Sequence, residues 1–345
     1  MRAGSRRSTI IDVAKLAGVS TKTVSRVLNR EPHVAAGVRE RVEEAARQLE
    51  YQPNVFAQAL VRRRSNLIGL IYENPSPSYV VELQQGALDR LKGERYSLIV
   101  VPVGSVKEHA ANIVAPLRVA AVDAVILAPP ASDHPDVLTA LDAAGIAYVR
   151  IAPTRMLDRG PSIVIDDVAA ARTIADHVIG FGHRRIGIIK GDATHASSEA
   201  RLLGYTQALT AAGISLRLDW IESGDYTFAS GFAAARRLLE RADQPSAILA
   251  QNDEMAVGAM TAARELGISI PQALSIVGFD DSEVSRVAWP RLTTVKQPVH
   301  EMARSATGML IDKLNARDVP VVEHHPFDLL IRSSVGDAPA DPAAS

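Results

Sequence analysis

From residue 67 to residue 279, short apolar segments alternate with longer amphipathic segments. The apolar segments have the length of buried strands, and the amphipathic segments repeat apolar residues at helical spacing. Such alternation is typical of βαβ units and parallel sheets. We predict strands at residues 67–72, 98–103, 124–128, 147–151, 162–165, 186–189, 247–250 and 275–279, and helices at residues 79–92, 169–181, 198–212, 228–241 and 254–266.

This number of βα units exceeds what one compact open sheet commonly holds. We therefore predict an α/β body of two parallel-sheet lobes, with a ligand cleft between them at the strand ends. The last residues are rich in Ala and Pro, which predicts a disordered tail. The expected ranges are 66–335 for the body, near 66–164 and 296–324 for lobe 1, near 165–295 and 325–335 for lobe 2, and 336–345 for the tail.

The N-terminal residues show a different pattern, that of three short helices. Thr9 and Ser20 are suited to cap helices over residues 10–17 and 21–29, and Gly18 is suited to the turn between them. A third helix is expected over residues 36–49. The second helix directs apolar residues inward and leaves a polar face outward, which consists of Thr21, Lys22, Ser25, Arg26 and Asn29.

Charge is distributed unevenly along the 345 residues, although the formal net charge is only −1. Residues 1–64 carry 13 Lys and Arg against 6 Asp and Glu, whereas residues 65–345 carry 25 against 33. A basic module joined to an acidic body indicates that the module, and not the body, meets a polyanion.

A linker separates the two parts. Pro53 cannot continue the third helix, and Asn54 can cap a short segment over residues 55–61. We predict an all-α head at residues 1–52 and a hinge helix with its linker at residues 53–65.

Composition excludes several classes of protein. The chain has no Cys, which excludes disulfides, thiolate metal sites and a cysteine nucleophile and favours a reducing compartment. We see neither an apolar run long enough for a membrane span nor a secretory signal, so we expect a cytoplasmic, nucleoid-associated protein.

The head has the cap, helix, glycine turn, cap and helix order of a helix-turn-helix, in which the second helix enters the major groove. The spacing alone is also compatible with a plain three-helix bundle. The residues Ile11-Asp12-Val13-Ala14-Lys15-Leu16-Ala17-Gly18-Val19-Ser20 and Thr23-Val24-Ser25-Arg26-Val27-Leu28-Asn29 closely resemble the head of the lactose/galactose repressor (LacI/GalR) family. The resemblance continues through Tyr51-Gln52-Pro53-Asn54 and Ala57-Gln58-Ala59-Leu60, which resemble the family's hinge helix.

The resemblance implies roles in DNA binding. Lys22 and Arg26 are expected to donate to guanine, Thr21 to touch a base edge, and Leu60 to wedge into the minor groove. Lys22 could instead be a solvated charge, and Leu60 could dock on the body. The other expected phosphate or hinge contacts are Ser20, Thr23, Ser25, Asn29, His33, Asn54 and Ala57, and His33 is equally compatible with a simple loop. Ala35 departs from the Ser or Thr usual in the family.

The body resembles the periplasmic-binding-protein type I fold that the family uses as an effector sensor. The resemblance rests on residues 182–186, 201–205, 252–256, 275–281 and 292–297. It implies three crossings between the lobes, which we place near residues 162–165, 292–298 and 322–327.

Effectors of the family are mostly sugars, with purines in one branch. The resemblance assigns Arg201, Asn252, Asp280 and Gln297 to the ligand cleft. It also places Tyr226 and Phe228 where an aromatic ring commonly stacks on a sugar, and Tyr79 on the loop that roofs the opposite lobe; ordinary packing is an equal alternative for these three. Asp280 and Asp281 should point apart at strand spacing. Where the family often has a carboxylate, this chain has Tyr148-Val149-Arg150-Ile151-Ala152-Pro153, so Arg150 and His195 could face the cleft instead, or the surface.

Enzyme motifs are missing. We find no nucleophile elbow, phosphate-binding loop, dinucleotide fingerprint or zinc-protease helix, so we expect neither catalysis nor a cofactor or metal. The sequence thus predicts an effector-controlled repressor of a carbohydrate uptake or utilisation operon, acting as a homodimer on a pseudo-palindromic DNA operator. A sugar-binding protein with a vestigial head and an activator are the alternatives.

Overall fold

A computed structural model describes residues 8–28, 34–51, 65–73 and 76–340 of the chain. The chain divides into two compact units, Met1–Ser65 and Asn66–Ser345. We describe each unit by itself and call the first the head and the second the body.

The head contains three helices, α1 (Ile10–Ala17), α2 (Thr21–Leu28) and α3 (Ala36–Gln48). Thr9 and Asp12 form a capping box at the start of α1, and Gly18 ends it in the left-handed conformation with φ of 65°. Ser20 Oγ accepts a hydrogen bond from the Thr23 amide at 3.1 Å and caps α2. The helices and both caps confirm the prediction for this part of the chain. The head core contains Val13, Val24, Val27, Val42 and Ala45.

Lobe 1 of the body is built on a six-stranded sheet with the order β11-β5-β4-β3-β1-β2. All of its strand pairs are parallel. Its strands are β1 (Leu67–Glu73), β2 (Ser97–Val103), β3 (Ala124–Leu127), β4 (Ala147–Ile151), β5 (Ser162–Val164) and β11 (Val322–His324), and its α-helices are α4 (Pro77–Leu91), α5 (Val106–His109), α6 (Val114–Val119), α7 (Pro135–Ala144) and α13 (Val299–Leu314).

Lobe 2 has a second six-stranded sheet with the order β12-β10-β9-β8-β6-β7. Only its edge strand β12 pairs antiparallel, with β10, among the strands described. Its strands are β6 (Ile186–Lys190), β7 (Ile221–Ser223), β8 (Ala247–Ala250), β9 (Ser275–Asp280), β10 (Thr293–Lys296) and β12 (Asp328–Leu330), and its α-helices are α8 (Asp167–Gly180), α9 (Ala196–Ala211), α10 (Phe228–Leu239), α11 (Asp253–Glu265) and α12 (Glu283–Val287).

The chain passes between the sheets after β5, after β10 and after β11, so residues near each predicted crossing connect the two lobes. The fold class predicted from the sequence is confirmed. Parallel strands place their carboxyl ends on one side of each sheet, where loops can carry ligand-binding side chains. In the parts of the chain that are described, no helix has the length and apolar character needed to span a bilayer.

The tail departs from the prediction of disorder over residues 336–345. The Gly336 amide donates to Ser275 Oγ at 3.1 Å, and the Gly336 carbonyl lies 3.0 Å from His183 Nε2. The Ala338 amide donates to the Phe181 carbonyl at 2.8 Å. Residues 336–338 are therefore fixed on lobe 2 because their backbone groups find partners there, which composition does not reveal. Residues 341–345 lie outside the described part.

Replacing Ala35 with Ser should stabilise the head by about 1 kcal/mol. Ala35 stands at the N-cap of α3 with φ of −56° and ψ of 139° and offers no side-chain hydrogen bond. A Ser hydroxyl there could accept from an amide of the first turn. Amide hydrogen exchange of α3 in the full chain should slow about fivefold. As a control, Thr9→Ala removes an existing cap and should speed exchange in α1; unchanged exchange in Ala35→Ser would contradict the capping account.

Candidate functional site

Two surfaces carry the residues singled out by the sequence: the outer face of α2 in the head and the cleft between the lobes of the body. On α2, Val24 and Val27 are buried, whereas Thr21 and Lys22 are exposed and Ser25 and Arg26 are partly exposed. The helix contains no acidic residue. It therefore presents polar and basic groups to solvent, as a helix that meets DNA requires.

Part of this polar face is already used within the head. Ser20 Oγ lies 2.9 Å from Thr23 Oγ1 and also caps the helix. Ser20 and Thr23 are thus placed by the cap at the amino end of α2, where backbone amides favour an anion. The remaining predicted DNA contacts, Asn29, His33, Asn54, Ala57 and Leu60, lie outside the described residues.

A cavity of about 40 Å³ lies between the two lobes. Lobe 1 contributes mainly apolar groups, and lobe 2 contributes most of the polar ones. The lining residues are Ser76, Tyr79, Pro129, Ala152, His195, Ser197, Arg201, Tyr226, Asn252, Asp280 and Gln297. Seven of the nine residues that the sequence analysis assigned to the cleft are in this set.

Arg201 is the central charged group of the cavity. Its Nε donates to Asp167 Oδ1 at 2.8 Å, and its Nη1 donates to the Gln251 carbonyl at 2.6 Å. The guanidinium carbon lies 3.7 Å from the centre of the Phe279 ring. Burial opposes the charge, but the nearby carboxylates of Asp167 and Asp280 outweigh burial and raise the pKa of Arg201. The guanidinium is therefore charged and held in one orientation before any ligand arrives.

Asp280 stands at the carboxyl end of β9 and faces the cavity. Its Oδ1 accepts a hydrogen bond of 2.5 Å from Gln297 Nε2, in the segment that follows β10, and lies 3.9 Å from Arg201 Nη1. Burial raises the pKa of Asp280 well above the ordinary value. Asp281 directly follows β9 and forms ion pairs with Arg286 and Arg332, so only one of the two carboxyl groups lines the cavity. Strand alternation is not the cause, because both residues have positive φ.

Asn252 lies in the cavity wall, but its amide is largely used within the protein. Nδ2 donates to the Tyr226 carbonyl at 2.9 Å and to Glu254 Oε2 at 3.0 Å, and Oδ1 accepts from the Met255 amide at 3.0 Å and caps α11. Asn252 therefore shapes the cavity and keeps only an acceptor site for a ligand.

A buried hydrogen bond joins the lobes beside the cavity. Ser76 Oγ, at the N-cap of α4 in lobe 1, donates to Glu254 Oε1 of lobe 2 at 2.5 Å. Burial raises the pKa of Glu254. Sequence reasoning missed Ser76, although its position before Pro77 at the start of a helix marks it as a cap residue near the end of β1.

Two buried polar atoms of the cavity wall have no protein partner among the described residues. These are His195 Nε2 and Tyr226 Oη. Ser197 lies close enough to Tyr226 to act on its pKa, but the two hydroxyls do not complete a hydrogen bond. Burial lowers the pKa of His195 to about 4, so its ring is neutral and has one donor and one acceptor. Buried polar atoms normally have hydrogen-bond partners, so His195 Nε2 and Tyr226 Oη point to a bound ligand as their partner.

The backbone of this cavity wall also has an unusual conformation. Three lining residues other than glycine have positive φ: Ala152 at 48°, Tyr226 at 67° and Asp280 at 116°. Gly191 packs under the Tyr226 ring so closely that a Cβ there would stand 2.1 Å from Tyr226 Cζ. Left-handed backbone at such residues costs free energy and clusters at functional sites.

The structure corrects the placement of Arg150 and Phe228. Arg150 is fully buried within lobe 1 and donates to loop carbonyls and Asp133, so it does not line the cavity. Phe228 begins α10, is 45% exposed and stacks on Phe232 with ring centres 6.5 Å apart. It is the first residue after the Thr227 cap and does not line the cavity. Among the described residues, no cluster of His, Asp and Glu could hold a metal ion.

Comparisons with known proteins identify the family of the chain. Residues 9–54 match the family described as "Bacterial regulatory proteins, lacI family", and residues 175–335 match the "Periplasmic binding protein-like domain". The HTH-type transcriptional repressor PurR of Proteus mirabilis (strain HI4320) is 34% identical over 341 residues, which cover 96% of this chain and 98% of the relative.

Solved structures match over almost the whole chain. A lac repressor dimer bound to operator and the anti-inducer ONPF has a TM-score of 0.85 at 29% identity, covering 96% of this chain and all of the other. A complex of the transcriptional regulator CelR with cellobiose has a TM-score of 0.73 at 31% identity, covering 95% of this chain and all of the other. These relatives are transcriptional regulators. The chain therefore belongs to the lacI family of bacterial regulatory proteins and is a DNA-binding transcriptional regulator.

Proposed function

We propose that this protein represses a carbohydrate uptake or utilisation operon, in the cytoplasm, and that an uncharged sugar in the interlobe cavity controls its binding to the operator. The observation that carries the proposal is the cavity between the lobes, where polar side chains from both lobes converge. A ligand that contacts both lobes stabilises the arrangement of the lobes that binds it more tightly. It can thereby shift the population of conformations that bind DNA.

The charges around the cavity favour an uncharged ligand. Arg201 is already paired with Asp167 and approached by Asp280, and Glu254 lies behind Ser76. An anionic ligand would meet these carboxylates without a free cation in the described wall, at a large electrostatic cost. The neutral His195 and Tyr226 can exchange hydrogen bonds with hydroxyls. The similar regulator CelR is complexed with cellobiose, which supports a sugar.

A thermal-melt screen tests the ligand class. The panel contains glucose, galactose, cellobiose, glucose 6-phosphate and guanine, and a compound at about 100 times its Kd adds roughly 2.7 kcal/mol of stability. We expect stabilisation by an uncharged sugar and none by the sugar phosphate. Stabilisation by guanine or by the phosphate alone would contradict the sugar proposal.

Asp280→Asn provides the matched variant for that screen. It keeps the shape of the side chain but replaces one carboxyl oxygen, which can accept a hydrogen bond, with an amide group that can only donate, so affinity for the stabilising sugar should fall by about tenfold or more. Asp219→Asn is the control, because Asp219 lies on the lobe 2 surface in ion pairs with Arg217 and Arg241. Equal affinity in Asp280→Asn and the wild type would remove Asp280 from the site.

Arg26 is proposed to read the operator. Operator DNA is obtained by selection from random duplexes, and Arg26→Ala should cost about 1–3 kcal/mol of specific binding while changing non-specific binding less. Arg47→Ala is the control, since Arg47 belongs to the same basic head but pairs with Glu44 at 2.6 Å on α3. The wild type should prefer its operator over random DNA by at least ~10³ at physiological salt. A ratio near one would favour a sugar-binding protein with a vestigial head.

We further propose that two copies pair through their bodies and present two heads to a pseudo-palindromic operator. The support is exposed apolar surface at the end of α12 and just beyond it, where Val287 is 74% and Trp289 78% exposed. The Trp289 carbonyl accepts from Arg264 Nη2 at 2.6 Å, which fixes this segment beside the end of α11. Side chains of this kind are enriched at interfaces.

Analytical ultracentrifugation tests the pairing. Trp289→Ser should raise the dimer dissociation constant by about tenfold or more, because a buried aromatic side chain is a typical interface anchor. Leu218→Ser is the control, since Leu218 is 76% exposed on lobe 2 and lies apart in the sequence. A dimer of unchanged strength in Trp289→Ser would place the interface elsewhere.

A further inference from the structure

Arg150 is a buried cation that the sequence analysis placed in the cleft and the structure places behind its wall. It sits on β4 with a fully buried side chain. Its Nε donates to the Ser132 carbonyl at 2.6 Å, and its Nη1 and Nη2 donate to the Met156 carbonyl at 2.5 Å and the Arg155 carbonyl at 2.6 Å. One planar guanidinium therefore holds carbonyls of two separate loops.

Asp133 completes the same cluster. Its Oδ1 accepts from Arg150 Nη2 at 3.1 Å and from the Arg155 amide at 3.0 Å, and its Oδ2 accepts from the Thr154 amide at 3.0 Å. Asp133 belongs to the loop after β3, and Thr154 and Arg155 belong to the loop after β4. Arg150 donates to carbonyls of both loops, and Asp133, in the loop after β3, accepts from amides of the loop after β4. The pair thus joins the two loops, with donors and acceptors matched.

Each of these loops supplies one residue to the cavity wall of lobe 1. Pro129 lies in the loop after β3, one turn before Ser132, whose amide donates to the Ala128 carbonyl at 3.2 Å. Ala152 directly follows β4, with φ of 48°, and is only 6% exposed. The sequence has no acidic residue from position 148 to position 153, where the family often has a ligand-binding carboxylate.

We propose that Arg150 is a positioning residue for the effector: it fixes Pro129 and Ala152 as a rigid lobe 1 wall against which the ligand is held. The inference rests on the proposed effector role of the cavity. A wall that is fixed before binding lowers the entropy cost of binding, so affinity depends on Arg150 although it does not touch the ligand. Lys cannot replace it, because a single ammonium cannot reach the oxygens of both loops in fork geometry.

The chain has no Cys, which permits a test that needs no identified ligand. Ala152→Cys places a single thiol in the lobe 1 wall of the full-length protein, and its rate of reaction with 5,5′-dithiobis(2-nitrobenzoate) reports local opening. In the Arg150→Lys background we expect this thiol to react about tenfold faster or more, because buried carbonyls of the two loops lose their donors. The overall fold is monitored by circular dichroism.

Two controls make the readout specific. Ser197→Cys places the thiol on the lobe 2 wall of the same cavity, where Arg150→Lys should change the rate by less than about twofold. Arg159→Lys changes an arginine of the loop after β4, whose side chain pairs with Asp142 on the surface at 2.8 Å, and should leave the reaction rates of both thiols unchanged. The proposal would be overturned if the thiol at position 152 reacted equally fast with Arg and with Lys at position 150. It would also be overturned if Arg150→Lys accelerated both thiols equally.

If Arg150→Lys does not fold, Asp133→Asn gives the same test, since it keeps the side-chain shape but weakens the pairing of the loops. It should accelerate only the thiol at position 152.

A binding measurement then connects the wall to the effector. For a sugar that stabilises the wild type, Arg150→Lys should weaken affinity by about tenfold while operator affinity without sugar stays within about twofold. Unchanged sugar affinity would overturn the positioning role. If no compound of the panel stabilises the wild type, the effector proposal fails, and the thiol rates still decide whether Arg150 fixes the wall.

Discussion

The cavity of the body is organised around the buried charge of Arg201. Its guanidinium is held by Asp167, the first residue of α8, and by the carbonyl of Gln251, which follows β8, and it covers the ring of Phe279 in β9. A buried guanidinium without such partners would be strongly destabilising. The ion pair therefore fixes the relative positions of α8, α9 and the ends of two strands, and the polar wall of lobe 2 depends on that arrangement.

The remaining wall is connected to this centre by hydrogen bonds that cross between the lobes. Asn252 links the Tyr226 carbonyl to Glu254, and Glu254 accepts from Ser76 of lobe 1. Gln297, in the segment that returns the chain to lobe 1, donates to Asp280. A ligand that competes for or completes these bonds changes the balance between closed and open lobes. This is the physical basis on which a small molecule can act on the DNA-binding head.

Much of the fold follows from local sequence signals. The strands at residues 147–151 and 247–250 and the helix at residues 10–17 were predicted with the bounds that the structure has, because period and capping are local properties. Asp280 was assigned to the cleft by the family resemblance, and it does line the cavity at the end of β9. Ser76 was missed because its partner, Glu254, is 178 residues away.

The two misplaced residues show where local reasoning ends. Arg150 was expected to face the cleft or the surface, since it stands where the family often has a carboxylate. Instead, Ser132, Met156 and Asp133 supply enough acceptors to satisfy it inside lobe 1. Phe228 was expected to face a sugar, but the first turn of α10 directs it to the surface and Tyr226 takes the cavity position. Side-chain direction at the ends of elements depends on long-range packing that periodicity does not encode.

Thermodynamic linkage is the most direct test of ligand control. The dissociation constant of the full-length protein for its selected operator is measured by fluorescence anisotropy, with and without the stabilising sugar. The dissociation constant for the sugar is measured by calorimetry, with and without operator. If both ligands act on one conformational equilibrium, the two affinities change by the same factor, in the range of roughly 5–150-fold. Two factors that both equal one would contradict the account, because the cavity would then bind its ligand without control of the head.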